Sequence, residues 1–223
     1  MRNIPDCSNK RNRSLVTQRK NEVTYYQPSA TPLPINSIPR RPPNLINERY
    51  LAMTPSQLEN IRKQYDNMTH ELLTGDIGEL IELVKNRHPT CHIVLIHGCN
   101  CMNNMGAGLA RRIKELWPEA AAVDQATKSH DINKLGTISG VTIDSDLSVI
   151  NLHTQYGYGG NKVNVDYDAM QKCFDTIVQN SMVDYIHMIP KYIGCGLAGG
   201  DINIVTPMIE ETFKNQAYYL FDI

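Results

Sequence analysis

No apolar run in this 223-residue sequence approaches the roughly 20 residues that a bilayer-spanning helix needs, which excludes a helical membrane span. The opening Met1-Arg-Asn-Ile-Pro-Asp lacks the apolar core of a signal peptide. Six cysteines (7, 91, 99, 101, 173, 195) are present, but without an export signal they read as reduced thiols. The expectation is an intracellular, cytoplasmic protein, in the host cytoplasm if the source is viral. Cys99-x-Cys101 has no second Cys pair and no His-x-x-x-His beside it, so no metal and no cofactor is expected.

Charge is close to balanced at −1, but unevenly spread. Residues 1–50 hold nine Lys/Arg and three acids, giving +6, so the remainder carries −7. The same segment is sparse in apolar residues and has Pro at 28, 32, 34, 39, 42 and 43. Such a segment buries too little to offset its ordering entropy, which predicts a disordered or extended basic arm. Its charge fits nucleic acid or another acidic partner, and equally a solvated tail. A linking helix is predicted within 51–67, with Thr54 as N-cap and Pro55 at the first helical position. The main domain is placed at 68–223.

The chain is organised around residues 91–117. Ile93 to Ile96 is a short apolar run rich in β-branched residues. From Ala107 to Trp117 the apolar residues Leu109, Ala110, Ile113 and Trp117 fall at helical spacing. Between them lies a polar loop ending in Gly106-Ala-Gly108. Strand, glycine loop and helix present free N–H groups and a helix N-terminus to an anion. The loop lacks both Gly-Lys-Ser/Thr and the full Gly-x-Gly-x-x-Gly, so it is neither a nucleoside-triphosphate P-loop nor a dinucleotide fingerprint.

The rest alternates in type. A strand end at 71–75 leads to a helix with Leu80, Ile81 and Val84 inward. Strands are predicted at 136–143 and 147–152, joined by a turn at Asp144-Ser-Asp146. A helix over 164–180 turns Tyr167, Met170, Phe174, Ile177 and Val178 inward. A strand at 185–189 stops at Pro190, a helix covers about 203–214, and Tyr218–Phe221 closes the chain. This is an α/β pattern with helices on both sheet faces. Three glycine-rich loops, 98–108, 155–160 and 194–200, follow strands and converge where ligands bind such sheets. They make a groove suited to an extended phosphorylated ligand.

Five segments in order carry a resemblance: Gly75-Asp76-Ile77, Ile96-His97-Gly-Cys-Asn100-Cys, Met105-Gly-Ala-Gly108-Leu-Ala, Asn151-Leu-His-Thr-Gln155, and Pro190 through Gly194-Cys-Gly-Leu. Together they resemble the macro domain, the ADP-ribose-binding module, from about Met68 onward. The resemblance implies a three-layer α/β/α fold with a mixed central sheet. Within the superfamily, His-Gly-Cys-Asn-Cys and Thr-Gln are most similar to the ADP-ribose 1''-phosphate phosphatase branch, yeast-type with phage and bacterial relatives. A glycohydrolase that removes ADP-ribose from acidic side chains is a near relative.

The resemblance implies roles for the residues. Asp76 would accept from the adenine amino group, flanked by Gly75 and Ile77, or would cap a helix, or both. Gly98, Cys99 and Asn100 would reach the distal ribose, with Gln155. Met105, Gly106, Ala107, Gly108, Leu109 and Ala110 would line the diphosphate and distal ribose. Gly194, Cys195, Gly196, Leu197, Ala198, Gly199 and Gly200 would form the second phosphate wall. Tyr219 or Phe221 would stack on adenine or belong to the core.

For catalysis His97 is a candidate acid or base, or else a structural histidine, and His153 has a weaker case. Asp201 would activate water or attack C1'', or cap the following helix. The glycohydrolase relative has an Asp shortly after Gly-Cys-Gly-Leu, where this chain has Ala198. The function expected is hydrolysis of ADP-ribose 1''-phosphate by a monomer. The alternatives are removal of ADP-ribose from macromolecules and a non-catalytic ADP-ribose reader.

Overall fold

β-Branched and apolar residues fill the central strands without alternation, because these strands are covered on both faces. In a computed structural model that describes residues 71–223, with Thr54 and Ser56, β2 (His92–Asn100) is buried along its length apart from a half-buried Gly98. β4 (Leu147–Gln155) is buried up to its last residue. The expected arm over 1–50 and most of the expected 51–67 helix lie outside the described residues.

The remaining strands are β1 (Leu72–Thr74), β3 (Ile138–Thr142), β5 (Tyr185–Pro190) and β6 (Ala217–Asp222). They form a six-stranded sheet in the order β1-β6-β5-β2-β4-β3. Every pairing is parallel except the β3–β4 hairpin. The parallel strands therefore end along one edge, and the loops that follow them meet there.

Side-chain alternation along β2 assigns the two faces. Ile93, Leu95 and Cys99 join a core under α1 (Ile77–Arg87), α2 (Gly108–Leu116) and α3 (Pro118–Gln125). Val94 and Ile96 point the other way, toward α4 (Tyr167–Gln179) and α5 (Ile202–Phe213). The result is a three-layer α/β/α fold with a mixed sheet.

Local chemistry sets the helix starts. Asp76, Asp166 and Asp201 each accept a backbone N–H of the first turn of α1, α4 and α5, respectively. α3 was not foreseen from periodicity. It has eight residues, Pro118 stands at its first position, and its buried set, Ala120, Ala121, Val123 and Asp124, mixes small residues with a carboxylate, so it writes no strong apolar stripe. A short 3₁₀ turn, Ile132–Lys134, then leads into β3.

Candidate ligand groove

The three glycine-rich loops and the end of β6 enclose a groove of about 750 Å³. That volume is within the range of small-molecule sites. Of the residues expected there, His97, Gly98, Cys99, Asn100, Gly106, Ala107, Gly108, Leu109, Ala110, Gln155, Gly194, Gly196, Leu197 and Ala198 border it.

The first wall is a helix start with its donors left open. Ala107 precedes α2 in extended conformation, makes no side-chain cap bond, and no acidic residue stands in the first turn. The opening N–H groups of a helix have no intrahelical acceptor, so here they are available to an anion. Gly108 has φ of +56°, and a Cβ there would lie 3.4 Å from Leu197 Cδ1, so the two walls approach to contact across this glycine.

The opposite wall is a tight turn from Gly194 to Gly200. Gly200 N–H donates to Gly194 O at 2.9 Å, and a Cβ on Gly200 would come within 2.7 Å of that oxygen. The Ala198 carbonyl accepts from Asn164 N–H at 2.7 Å, which ties this wall to the loop after β4. Leu197 is 76% exposed at the rim.

Asn100 is buried and shapes its own loop. Its Oδ1 accepts from Met102 N–H (3.0 Å) and Asn104 N–H (3.2 Å), and its Nδ2 donates to Asn104 O (2.7 Å). The amide that was expected to meet the ligand therefore also sets the turn that leads to Gly106.

The candidate catalytic groups are each held by bonds of their own. His97 shares the face of Ile93 and Leu95, and its Nε2 bonds Asn151 Oδ1 at 2.7 Å. Asn151 Nδ2 in turn donates to Ala120 O of α3 at 2.9 Å. Burial pushes the His97 ring down to about 4, with Asn151 opposing the shift. A buried, neutral ring that ties β2 through β4 to α3 is poorly placed for the acid–base role expected from its strand-end position. His153 is likewise buried, bonded to Asp124 Oδ1 at 3.1 Å and Thr137 O at 3.0 Å. Asp201 is exposed, lies outside the groove border, and accepts from Asn203 N–H at 2.8 Å as the α5 cap.

Other expected residues stand apart from the groove lining. Gly75, Asp76 and Ile77 stand outside the groove border. Gly75 N–H pairs with Asp222 O, and Ile77 is core. Asp76 caps α1 through Gly78 N–H (2.9 Å) and pairs with Arg112 Nε (2.8 Å), which holds its carboxyl below the usual range. Met105 is buried in the core under α2. Cys195, Gly199 and Gly200 belong to the turn of the second wall but do not border the groove. Tyr219 is core, with its hydroxyl 3.0 Å from His88 Nε2, whereas Phe221 belongs to the core and borders the groove.

The groove residues not expected as site residues include Asn104, Tyr158, Tyr192 and Asp222. Tyr192 is 45% exposed and carries Lys191 Nζ 5.1 Å from its ring centroid. Its one readable clue was its place just after the strand-ending Pro190. The paired thiols offer no nucleophile, since burial raises Cys99 well above its ordinary value and Cys101 to about 11. Among the described residues no group of three or more His, Cys, Asp or Glu is placed to hold a metal, and no helix is long and apolar enough to cross a membrane.

Comparison with known proteins places this architecture. No protein-family model matches the chain. An uncharacterized 17.5 kDa protein from the tk–vs intergenic region of Enterobacteria phage T4 is 27% identical over 150 residues, covering 64% of this chain and 89% of the relative. A structure of a protein of unknown function from Bacteroides thetaiotaomicron is 28% identical, with a TM-score of 0.55, covering 69% of this chain and 98% of that one. The macrodomain of Mycobacterium tuberculosis DarG superposes with a TM-score of 0.51 at 17% identity, covering 69% of this chain and 98% of its own. The chain thus has the macro-domain fold.

Proposed function

We propose that the groove binds ADP-ribose, with the diphosphate between the α2 start and the Gly194–Ala198 turn, and that the working ligand is ADP-ribose 1''-phosphate. The observation that carries this is the pairing of an uncapped helix start with a glycine turn across a groove of ligand size. Backbone N–H groups from two sides suit a diphosphate without basic side chains. Among the described residues, Asp222, at the end of β6, is the one acidic side chain that borders the groove. Phosphoryl transfer asks mainly for positioning and charge stabilisation, which these donors supply to a bound phosphate and an attacking water.

A second reading, a reader that binds without turnover, is favoured by the burial of His97 and its bond to Asn151, and by the place of Asp201 outside the groove border. Phosphate release from ADP-ribose 1''-phosphate, with ADP-ribose binding measured alongside, separates the two. Hydrolysis that survives Asp201→Ala within about threefold is expected, because that carboxylate caps α5. Abolition of turnover in a folded Asp201→Ala variant would return Asp201 to the catalytic centre. Binding with no phosphate release by the wild type would select the reader.

Asp76 retains a proposed role at the adenine end, since it follows Gly75, which pairs with the groove residue Asp222. For adenine to use this carboxylate it must share it with Arg112. Arg112→Ala is expected to leave ADP-ribose affinity within about twofold or to tighten it, while Asp76→Ala weakens it roughly tenfold. Equal weakening by both, measured by calorimetry, would mean that the ion pair rather than the free acceptor matters.

A further inference from the structure

Beneath the 98–108 loop lies a buried polar cluster that the groove reading leaves without a task. Asp124, at the end of α3, is 1% exposed, and Lys134, in the 3₁₀ turn, is 4% exposed. Lys134 Nζ donates to Asp124 Oδ1 at 2.7 Å and also to Asn103 Oδ1. His153 Nε2 lies 3.1 Å from the same Asp124 oxygen. Charged groups are seldom buried this deeply unless they are paired and something is gained by fixing them.

What they fix is Asn103. Its Nδ2 donates to Asp124 O and to Thr127 O, both at 2.9 Å. Its backbone sits at φ +57°, a left-handed conformation that Asn tolerates better than most residues. Asn103 is the middle of the turn that Asn100 closes from the other side through Met102 and Asn104. Asn104 and Gly106, which border the groove, follow directly. One residue thus receives a buried cation and grips two carbonyls at the C-terminal end of α3, while the next lines the ligand wall.

We propose that Asn103, Lys134 and Asp124 are positioning residues that preset the distal-ribose wall of the groove before ligand arrives. This rests on the reading of the groove as an ADP-ribose site. The cluster touches no ligand. It spares the loop the ordering that binding would otherwise require.

The test uses the full chain and two probes, ADP-ribose and ADP, which share the adenosine diphosphate half and differ in the distal ribose. Asn103→Gly keeps the left-handed backbone and deletes the grip. Its affinity for ADP is expected to stay within about twofold of wild type, while ADP-ribose weakens about tenfold. Asn103→Ala, strained at this φ, is expected to lower the ADP-ribose to ADP affinity ratio further. Amide exchange over 101–106 in the unliganded Gly variant should quicken by about tenfold or more.

An unchanged affinity ratio, or equal weakening of both probes, overturns the proposal, because a general loss of stability does not distinguish them. A wild-type chain that binds neither probe overturns the groove reading instead, and the exchange result alone then decides the clamp.

Discussion

Asp124→Ala is expected to cost about 3–5 kcal/mol of folding stability, the range for removing one partner of a buried ion pair. The loss is that large because of what remains. Lys134 is buried beside Asn103, and without Asp124 its ammonium keeps a neutral acceptor but no counter-charge. His153 Nε2 loses its bonding partner in the same step. Asp124 is held ionised although burial, the largest influence, pushes its carboxyl upward; His153 and Lys134 together bring it below the usual range. Urea unfolding checks this, and a midpoint shift worth less than about 1 kcal/mol would mean the pair is not buried as described. Replacing both charges, Asp124→Leu with Lys134→Met, should recover most of the loss, because two apolar side chains leave no stranded ion. Recovery of stability without recovery of ADP-ribose affinity is the expected pattern, since Asn103 would still lack its cation.

Acidification is expected to be the second large effect. His97 and His187 are both wholly buried, and burial lowers each to about 4. In the unfolded chain the same rings protonate near 6.5. The unfolded state therefore takes up protons that the folded state refuses, and the stabilisation present above pH 6.5 is lost as pH falls toward 4. By pH 5 each ring removes about 2 kcal/mol, so the pair removes roughly 4 kcal/mol relative to pH 7.5. His153 is shifted in the same direction and adds to the loss. Denaturant midpoints at pH 7.5, 6 and 5 should fall steadily. A flat profile over this range would contradict the burial of these imidazoles. For His187→Gln, whose site lies under α5 and away from the groove, the slope should drop by roughly a third to a half, with ligand affinity at pH 7.5 unchanged.

These groups differ in how plainly the sequence announced them. Strands and most helices were legible because Ile93–Ile96 has the continuous apolar character of a doubly covered strand and 164–180 has helical spacing. The glycine loops were legible because glycine clusters after strands have few other uses. α3 was not, since its buried face, Ala120, Ala121, Val123 and Asp124, is small and carries a carboxylate, which leaves no apolar period to detect. The parity of His97 was present in the sequence: counting in twos from Ile93 puts it on the face of Leu95 and Cys99, in the core. Its position at the strand end drew attention to chemistry, while its parity assigned it to packing. Asp76 and Asp201 had the signature of helix caps, and both serve as caps. The Asp124–Lys134–Asn103–His153 cluster was not legible. Its members come from four separate segments, and charged residues in isolation read as surface.

The groove itself is the centre of this account, and calorimetric titration of ADP-ribose into the wild-type chain and into Gly106→Val tests it most directly. Gly106 borders the groove, and a Cβ there would meet only the Asn104 side-chain oxygen, at 2.8 Å, a contact that a small rotation relieves. The branched side chain should therefore leave the fold intact while filling ligand space. Saturable binding by the wild type, weakened at least about a hundredfold in Gly106→Val with an unchanged melting temperature, is the expected result. Equal binding by both chains would place the ligand elsewhere, and no binding by the wild type would contradict the ADP-ribose reading.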